Sequence, residues 1–226
     1  MLKKIAIGIL AYNEESHIEN VLNEILTLKK DVYVLNDSST DKTMKILEKM
    51  NISKNFTIIN NLKNEGAGNS TLKLIETIKN DGFDFVIKVD GDNQFKLEDI
   101  NKIIKLHEDN DYDFIKSNRF WEGGIEGKIP RRRYFGNLFA TIMLQFISGT
   151  NKLYDPLNGL FGINVKVLNF INKKVYPKRY GYPFYFSGLS AISFFKVFQI
   201  NNVVSYGSEK SNLSSIKILN VLSKLK

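Results

Sequence analysis

Five times in the first 118 residues a short apolar, β-rich run appears, and segments of helical period separate the runs. The runs are "KIAIGILAY", "DVYVLN", "FTIIN", "FDFVIKVD" and "DFIKSN". In the first intervening segment Ile18, Val21, Leu22, Ile25 and Leu28 recur at helical spacing. "DKTMKILEKM", with Ser39 or Thr40 as its cap, then Gly66 to Lys79 and Leu97 to His107, supply the next three helices. Such alternation predicts an α/β fold, an open and mostly parallel sheet with helices on both faces. Ligands of such sheets sit beyond the carboxyl ends of the strands. Asn13, Asp37, Asn64, Asp90 and Asn118 all lie just past strand ends.

The alternation stops near residue 120. "WEGGIEGKIPRRRY" reads as a loop with glycines, a proline and three consecutive arginines. A helix through "FGNLFATIMLQFI", a turn at "YDPLNG", a strand "LFGI", a helix near 187–199 and a strand "NVVSY" are predicted to follow. The tail "SSIKILNVLSKLK" places Ile216, Leu219, Leu222 and Leu225 three apart with lysines between, an amphipathic pattern that suits either a membrane surface or the protein body.

At 226 residues and 43% hydrophobic content the chain can bury one sizeable core. A net charge of +8 points to anionic partners: phosphate groups, nucleic acid or a membrane surface. The basic residues form no aromatic-interleaved face or recognition motif, which argues against nucleic acid. With no cysteine, disulfides and thiolate metal sites are excluded. The longest apolar segments fall short of the roughly 20 residues of a spanning helix. His17 and His107 have no clustered partners and read as surface residues.

Asp90 and Asp92 stand one residue apart where an apolar strand ends, so their charges repel unless a cation separates them. A hard divalent ion does this and keeps positions open for phosphate oxygens, with Gln94 as a further oxygen ligand. "NEGAGNS" puts Asn64, Gly66 and Gly68 at a strand-to-helix junction, where backbone amides either meet phosphate or simply open the helix. "AYNEE" and "NDSSTDKT" offer side chains to a base or ribose, although capping accounts equally well for Ser39, Thr40 and Asp41. Asp155 either orients an acceptor or shapes the turn before Pro156.

In this order "YNEE", "NDSSTD", "NEGAG" and "DGD" resemble glycosyltransferase family 2, the GT-A (Rossmann-like) enzymes that use nucleotide-sugar donors. "VDGDNQF", "IKSNRF", "IPRRRYFGN" and "YDPLNGLFGI" extend the resemblance to the branch of dolichol-phosphate mannosyltransferases and other polyprenyl-phosphate glycosyltransferases. The resemblance implies that Asp90, Asp92 and Gln94 hold Mg²⁺ or Mn²⁺ on the donor diphosphate. It further implies that Asp37 and Tyr12, Asn13 and Glu14 contact the nucleoside, and that Arg119 and Arg133 hold phosphate. Departures are visible: Asn36 stands for the first acid of the usual pair, and Ser38 for the glycine. No Gln/Arg-x-x-Arg-Trp motif is present, which argues against processive polysaccharide synthesis.

The expectation is a GT-A domain over 1–212, with a donor-binding half at 1–119 and an acceptor half at 120–212, followed by the tail at 213–226. Its expected activity is inverting, metal-dependent transfer of a sugar from a GDP- or UDP-sugar to a polyprenyl phosphate, at the cytoplasmic face of a membrane through peripheral contact. Asp92, Arg119, Arg133 and Asp155 are the candidate catalytic set. Two rival expectations are transfer to a saccharide or other hydroxyl acceptor, with Asp155 as base, and a non-catalytic nucleotide-sugar-binding protein.

Overall fold

A computed structural model describes residues 3–120, 125–126, 131–149 and 153–205, with the side chains of 125–126, 132–133 and 204–205 outside that description. Trp121 and the tail at 213–226 also lie outside the described residues.

The five expected strands form as β1 (Ile5–Ala11), β2 (Asp31–Asn36), β3 (Thr57–Asn60), β4 (Phe85–Asp90) and β5 (Phe114–Asn118). The helices between them are α1 (Ile18–Leu26), α2 (Thr43–Ser53), α3 (Ala67–Asn80) and α4 (Leu97–Asn110). Then come β6 (Ile125–Glu126), α5 (Arg131–Ser148), β7 (Phe161–Asn164), a 3₁₀ turn (Val165–Phe170), α6 (Tyr182–Ile192), β8 (Val197–Asn201) and β9 (Val204–Ser205).

Seven strands make one sheet in the order β3-β2-β1-β4-β7-β5-β8, and β6 pairs with β9 apart from it. β1 to β4 run parallel, whereas β7 lies antiparallel between β4 and β5. Because parallel strands are buried on both faces, their residues divide by alternation. Ile5, Ile7 and Ile9 with Phe85, Ile87 and Val89 pack under α1, α2 and α4. Ala6, Leu10, Leu35, Val86, Phe114 and Phe161 pack under α3, α5 and α6. Each fully buried Ile, Leu or Phe contributes about 1.5–3 kcal/mol through removal from water.

Four expectations need correction. The first residue of α2 follows Lys42, which makes no side-chain cap; the amide of Thr40 is instead taken by Asn13, and Asp41 accepts from the Thr43 amide. Arg131 to Tyr134 belong to α5 and not to a loop. The late helix occupies Tyr182–Ile192, and Val197–Asn201 is a strand beside β5, because its backbone supplies the sheet edge that β5 would otherwise leave unpaired. His107 is buried and not a surface residue: its ring stacks on Phe85 at 3.7 Å, and Nδ1 lies 2.9 Å from the Tyr112 carbonyl oxygen.

Candidate active site

The carboxyl ends of β1, β2 and β4 gather the sequence motifs along one edge of the sheet. Past β1, Tyr12 is exposed and Asn13 takes φ +58°, a left-handed conformation that asparagine tolerates. The Asn13 amide donates to Ser39 Oγ at 3.0 Å, and its Oδ1 accepts from the Thr40 amide at 2.8 Å. The Glu14 amide donates to Thr43 Oγ1 at 2.8 Å, and the Glu14 carbonyl accepts from the first turn of α1. The "YNEE" and "NDSSTD" segments are thus one laced unit, held by each other's polar groups.

Asp37 lies within that unit, 2% exposed, and its carboxylate is fully engaged: Oδ1 accepts from Asn61 Nδ2 at 2.8 Å and the Glu65 amide at 2.9 Å, and Oδ2 from the Gly66 amide at 2.9 Å. Asn64 Nδ2 donates to the Asp37 carbonyl at 3.3 Å. The single charge left beside Asn36 therefore pins the 61–66 loop to the end of β2. Asn36 itself accepts from Ser39 and donates to Asn60. Ser38 adopts φ +61°, a conformation glycine reaches at no steric cost, which is the physical reason for glycine at this position in the family pattern.

The glycine pair meets a neighbour that the sequence did not announce. A Cβ at Gly68 would stand 1.9 Å from the Pro177 carbonyl oxygen, and one at Gly66 would stand 2.5 Å from Arg179 Cγ. The Asn69 amide donates to the Lys178 carbonyl, and Arg179 Nη1 donates to Asn64 Oδ1 at 3.3 Å. The amides of Glu65, Gly66 and Asn69 are accordingly engaged within the protein, and Arg179 brings a cation over the loop.

At the end of β4, Val86, Lys88 and Asp90 alternate onto the α6 side of the sheet. Lys88 is fully buried, and its ammonium donates to both Asp90 Oδ1 and the Tyr182 hydroxyl. Burial opposes its charge, but the Asp90 carboxylate and the Tyr182 oxygen outweigh burial and raise its pKa. Burial, and then the Asp90 charge, push the Tyr182 hydroxyl up to about 12. A Cβ at Gly159 would stand 2.0 Å from Asp90 Oδ2, so only glycine lets the turn of "YDPLNG" close against the carboxylate. Asp92 follows in a turn where its Oδ1 accepts from the Gln94 amide at 3.2 Å.

Across β7, Lys116 repeats the position of Lys88: Phe161 is the register partner of both. Lys116 is fully buried, bonded to the Asn158 carbonyl and 5.3 Å from the Phe161 ring centroid. Burial pushes it down to about 7, helped by Arg119 and Lys88 and opposed by Asp155. Arg119, just past β5, donates from Nε to Asp155 Oδ2 and from Nη2 to Oδ1, both at 2.7 Å, and its amide adds a bond of 3.0 Å. Asp155 is completely buried and takes φ +51°. Arg133 has its backbone in the first turn of α5; its side chain is among those outside the description.

Among the described residues no three carboxylate, imidazole or thiol groups converge on one point. Asp90, Asp92 and Gln94 offer oxygens on one short segment, which fits a hard divalent ion whose other positions go to water and phosphate.

Lys88, Lys116, Tyr182 and Arg179 were missed in the sequence. A signal existed for the first two: "VIKVD" and "FIKSN" each put a lysine inside an apolar strand, two residues before its polar end. Tyr182 and Arg179 carry no local signal.

The chain matches Glycosyl transferase family 2 over residues 6–173. It is 34% identical over 136 residues to an uncharacterized protein of Methanocaldococcus jannaschii, an alignment covering 59% of this chain and 57% of that protein. It is 25% identical over 192 residues to the UDP-N-acetylglucosamine–dolichyl-phosphate N-acetylglucosaminyltransferase of Methanococcus voltae, covering 79% of this chain and 76% of the relative. Among solved structures, glucosyl-3-phosphoglycerate synthase from Mycobacterium tuberculosis, in complex with Mn²⁺, UDP and phosphoglyceric acid, superposes with a TM-score of 0.75 at 15% identity, covering 99% of this chain and 78% of that one. That likeness establishes a shared fold.

Proposed function

The chain belongs to glycosyl transferase family 2, and from that premise we propose that it passes a sugar, with inversion, from a nucleotide-sugar donor to a polyprenyl (dolichyl-like) phosphate. The observation that carries the acceptor class is the state of Asp155. A hydroxyl acceptor needs a base within reach, but Asp155 is completely buried and bound at both oxygens by Arg119. A phosphate acceptor is already anionic and attacks without a base, and it needs the guanidinium that Asp155 orients.

In this reading residues 1–119 hold the donor and 120–212 the acceptor. Tyr12, Asn13 and Glu14 form the nucleoside wall, with Asp37, whose carboxylate pins the 61–66 loop, and Asn64, Gly66 and Gly68 behind it. Asp90, Asp92 and Gln94 would hold Mg²⁺ or Mn²⁺, which takes up the negative charge that grows on the leaving nucleoside diphosphate. An acceptor phosphate oxygen forms the new bond at the anomeric carbon as the bond from that carbon to the donor phosphate breaks. Arg119, with Arg133 as the second expected cation, offsets the repulsion between the two anions as they approach. The Methanococcus voltae relative, named for a dolichyl-phosphate acceptor, supports this class.

No helix among the described residues is long and apolar enough to cross a membrane. Peripheral contact at the cytoplasmic face is supported by α5, where Phe135, Leu138, Ile142 and Phe146 are exposed and Arg131 stands exposed at the start.

The test is incubation with Mn²⁺ or Mg²⁺, labelled UDP- and GDP-sugars and a short polyprenyl phosphate. Label entering the organic phase only with metal is the expected result. Label transferred solely to hydroxyl acceptors would overturn the acceptor assignment, and full transfer without metal would remove the cation role from Asp90 and Asp92.

A further inference from the structure

Asp90 lies beside two kinds of cation. One is the divalent ion of the proposed donor site; the other is part of the chain. The Lys88 ammonium is completely buried and held from two sides, by Asp90 Oδ1 and by the Tyr182 hydroxyl on α6. Its position is set by the register of the sheet, because Lys88 pairs with Phe161, the first residue of β7, and Gly159 lies two residues before that strand begins. Gly159 closes on Asp90 Oδ2 from the other side. The Asp90 side chain is 29% exposed, so the carboxylate is fixed from below and open to the site above.

A buried ammonium against a carboxylate cancels most of its field at short range. Asp90 then presents to the site much less negative charge than a bare carboxylate. Two bare carboxylates one residue apart attract a free divalent ion strongly; offsetting the charge of one weakens that attraction and leaves the ion dependent on additional anionic ligands. The diphosphate of the donor is such a ligand.

We propose that Lys88 is a positioning residue with an electrostatic consequence: it fixes the Asp90 carboxylate and offsets its charge, so that a divalent cation binds tightly only together with a nucleoside diphosphate. This rests on the reading of Asp90 and Asp92 as the donor's cation site. It adds an order of events, in which metal and donor arrive together, and it joins the donor half to the acceptor half through Tyr182.

The experiment is titration of the whole chain with Mn²⁺, followed by the electron paramagnetic resonance of the free ion, alone and in the presence of UDP or GDP. For the unaltered protein, Mn²⁺ alone binds weakly and nucleotide tightens it. Lys88→Met keeps the side-chain volume and removes the charge, and it should tighten Mn²⁺ alone by about tenfold, shrinking the enhancement by nucleotide in proportion. Tyr182→Phe, which removes one anchor and leaves the charge, should leave the binding of Mn²⁺ alone within about twofold of the unaltered protein. A lysine that only supports the fold would loosen Mn²⁺ binding when replaced, so equal or weaker binding of Mn²⁺ alone in Lys88→Met overturns the proposal. Should Lys88→Met fail to fold, Lys88→Gln, which also removes the charge, is read in the same way. If no protein binds Mn²⁺ with or without nucleotide, the donor-site reading itself falls and takes this inference with it. That outcome is distinct from one in which Mn²⁺ and nucleotide bind together regardless of Lys88.

Discussion

The ends of β4 and β5 are built from the same parts in opposite order. At β4 the cation, Lys88, is completely buried and its carboxylate partner Asp90 is 29% exposed. At β5 the carboxylate, Asp155, is completely buried and its cation partner Arg119 is 14% exposed. Each pair leaves its less buried member at the strand end, so the end of β4 offers carboxylate oxygens and the end of β5, across β7, guanidinium N–H groups. Burial of one partner decides which group the site displays, and that group is oriented by the buried one. This gives a chemical reason for a donor with its cation on one side and an anionic acceptor on the other.

Removing the buried member of each pair probes that comparison. Asp155→Asn leaves Arg119 without its counter-charge and should cost about 3 kcal/mol in urea unfolding at neutral pH, since an orphaned, mostly buried ion is among the larger single-site losses. Lys88→Met orphans a carboxylate that water already reaches, and its expected cost is smaller, about 1–2 kcal/mol. Equal losses would mean that exposure of the surviving partner does not set the energy.

Lys116 sharpens the contrast because it occupies the register position of Lys88 with, among the described residues, a carbonyl as its hydrogen-bond partner. Its folded value of about 7 lies below the unfolded value of about 10.4, so between those limits the unfolded chain binds the extra proton. Stability therefore rises with pH from about 7 to about 10, and this contribution is absent below 7. Unfolding free energies should climb across that range, and Lys116→Met should flatten the climb. The same slope in Lys116→Met would assign the dependence elsewhere.

The smallest effect is at His107, whose pKa burial lowers from its ordinary value of 6.5. The unfolded chain takes up the proton first as pH falls, so stability is complete above about 6.5 and declines below it. His107→Phe keeps the stack on Phe85 and should remove that acid loss in the same unfolding series.

Much of the first half was legible because both codes act locally. β-rich apolar runs that stop at, or shortly before, an Asn or Asp gave β1 to β5, and the period of Ile18, Val21, Leu22 and Ile25 gave α1. Glycosyl transferase family 2 was legible because "YNEE", "NDSSTD", "NEGAG" and "DGD" fall in order at the ends of those strands. The later half was harder. α6 is apolar on nearly all sides and shows no stripe to mark its limits, and Val197–Asn201 became a strand because β5 offered an open edge. His107 misled and Lys88 was missed for the same reason: both are polar residues whose burial depends on partners distant in sequence, Phe85 for one and Tyr182 for the other. Gly66 and Gly68 read as either a phosphate cradle or a helix entry, and their missing side chains also admit Pro177 to Arg179, which no local pattern foretells.

The most direct test of divided duties between the two strand ends uses Arg119→Gln with Mn²⁺, the labelled nucleotide sugar that the unaltered protein accepts, and a polyprenyl phosphate. Label in the organic phase is measured beside label released as free sugar. The account predicts a loss of organic-phase label of about 100-fold, on the scale of removing one charged contact to the reacting anion, with Mn²⁺-dependent release of free sugar retained. Undiminished organic-phase label, or loss of both signals together in a folded protein, would contradict the assignment of Arg119 to the acceptor.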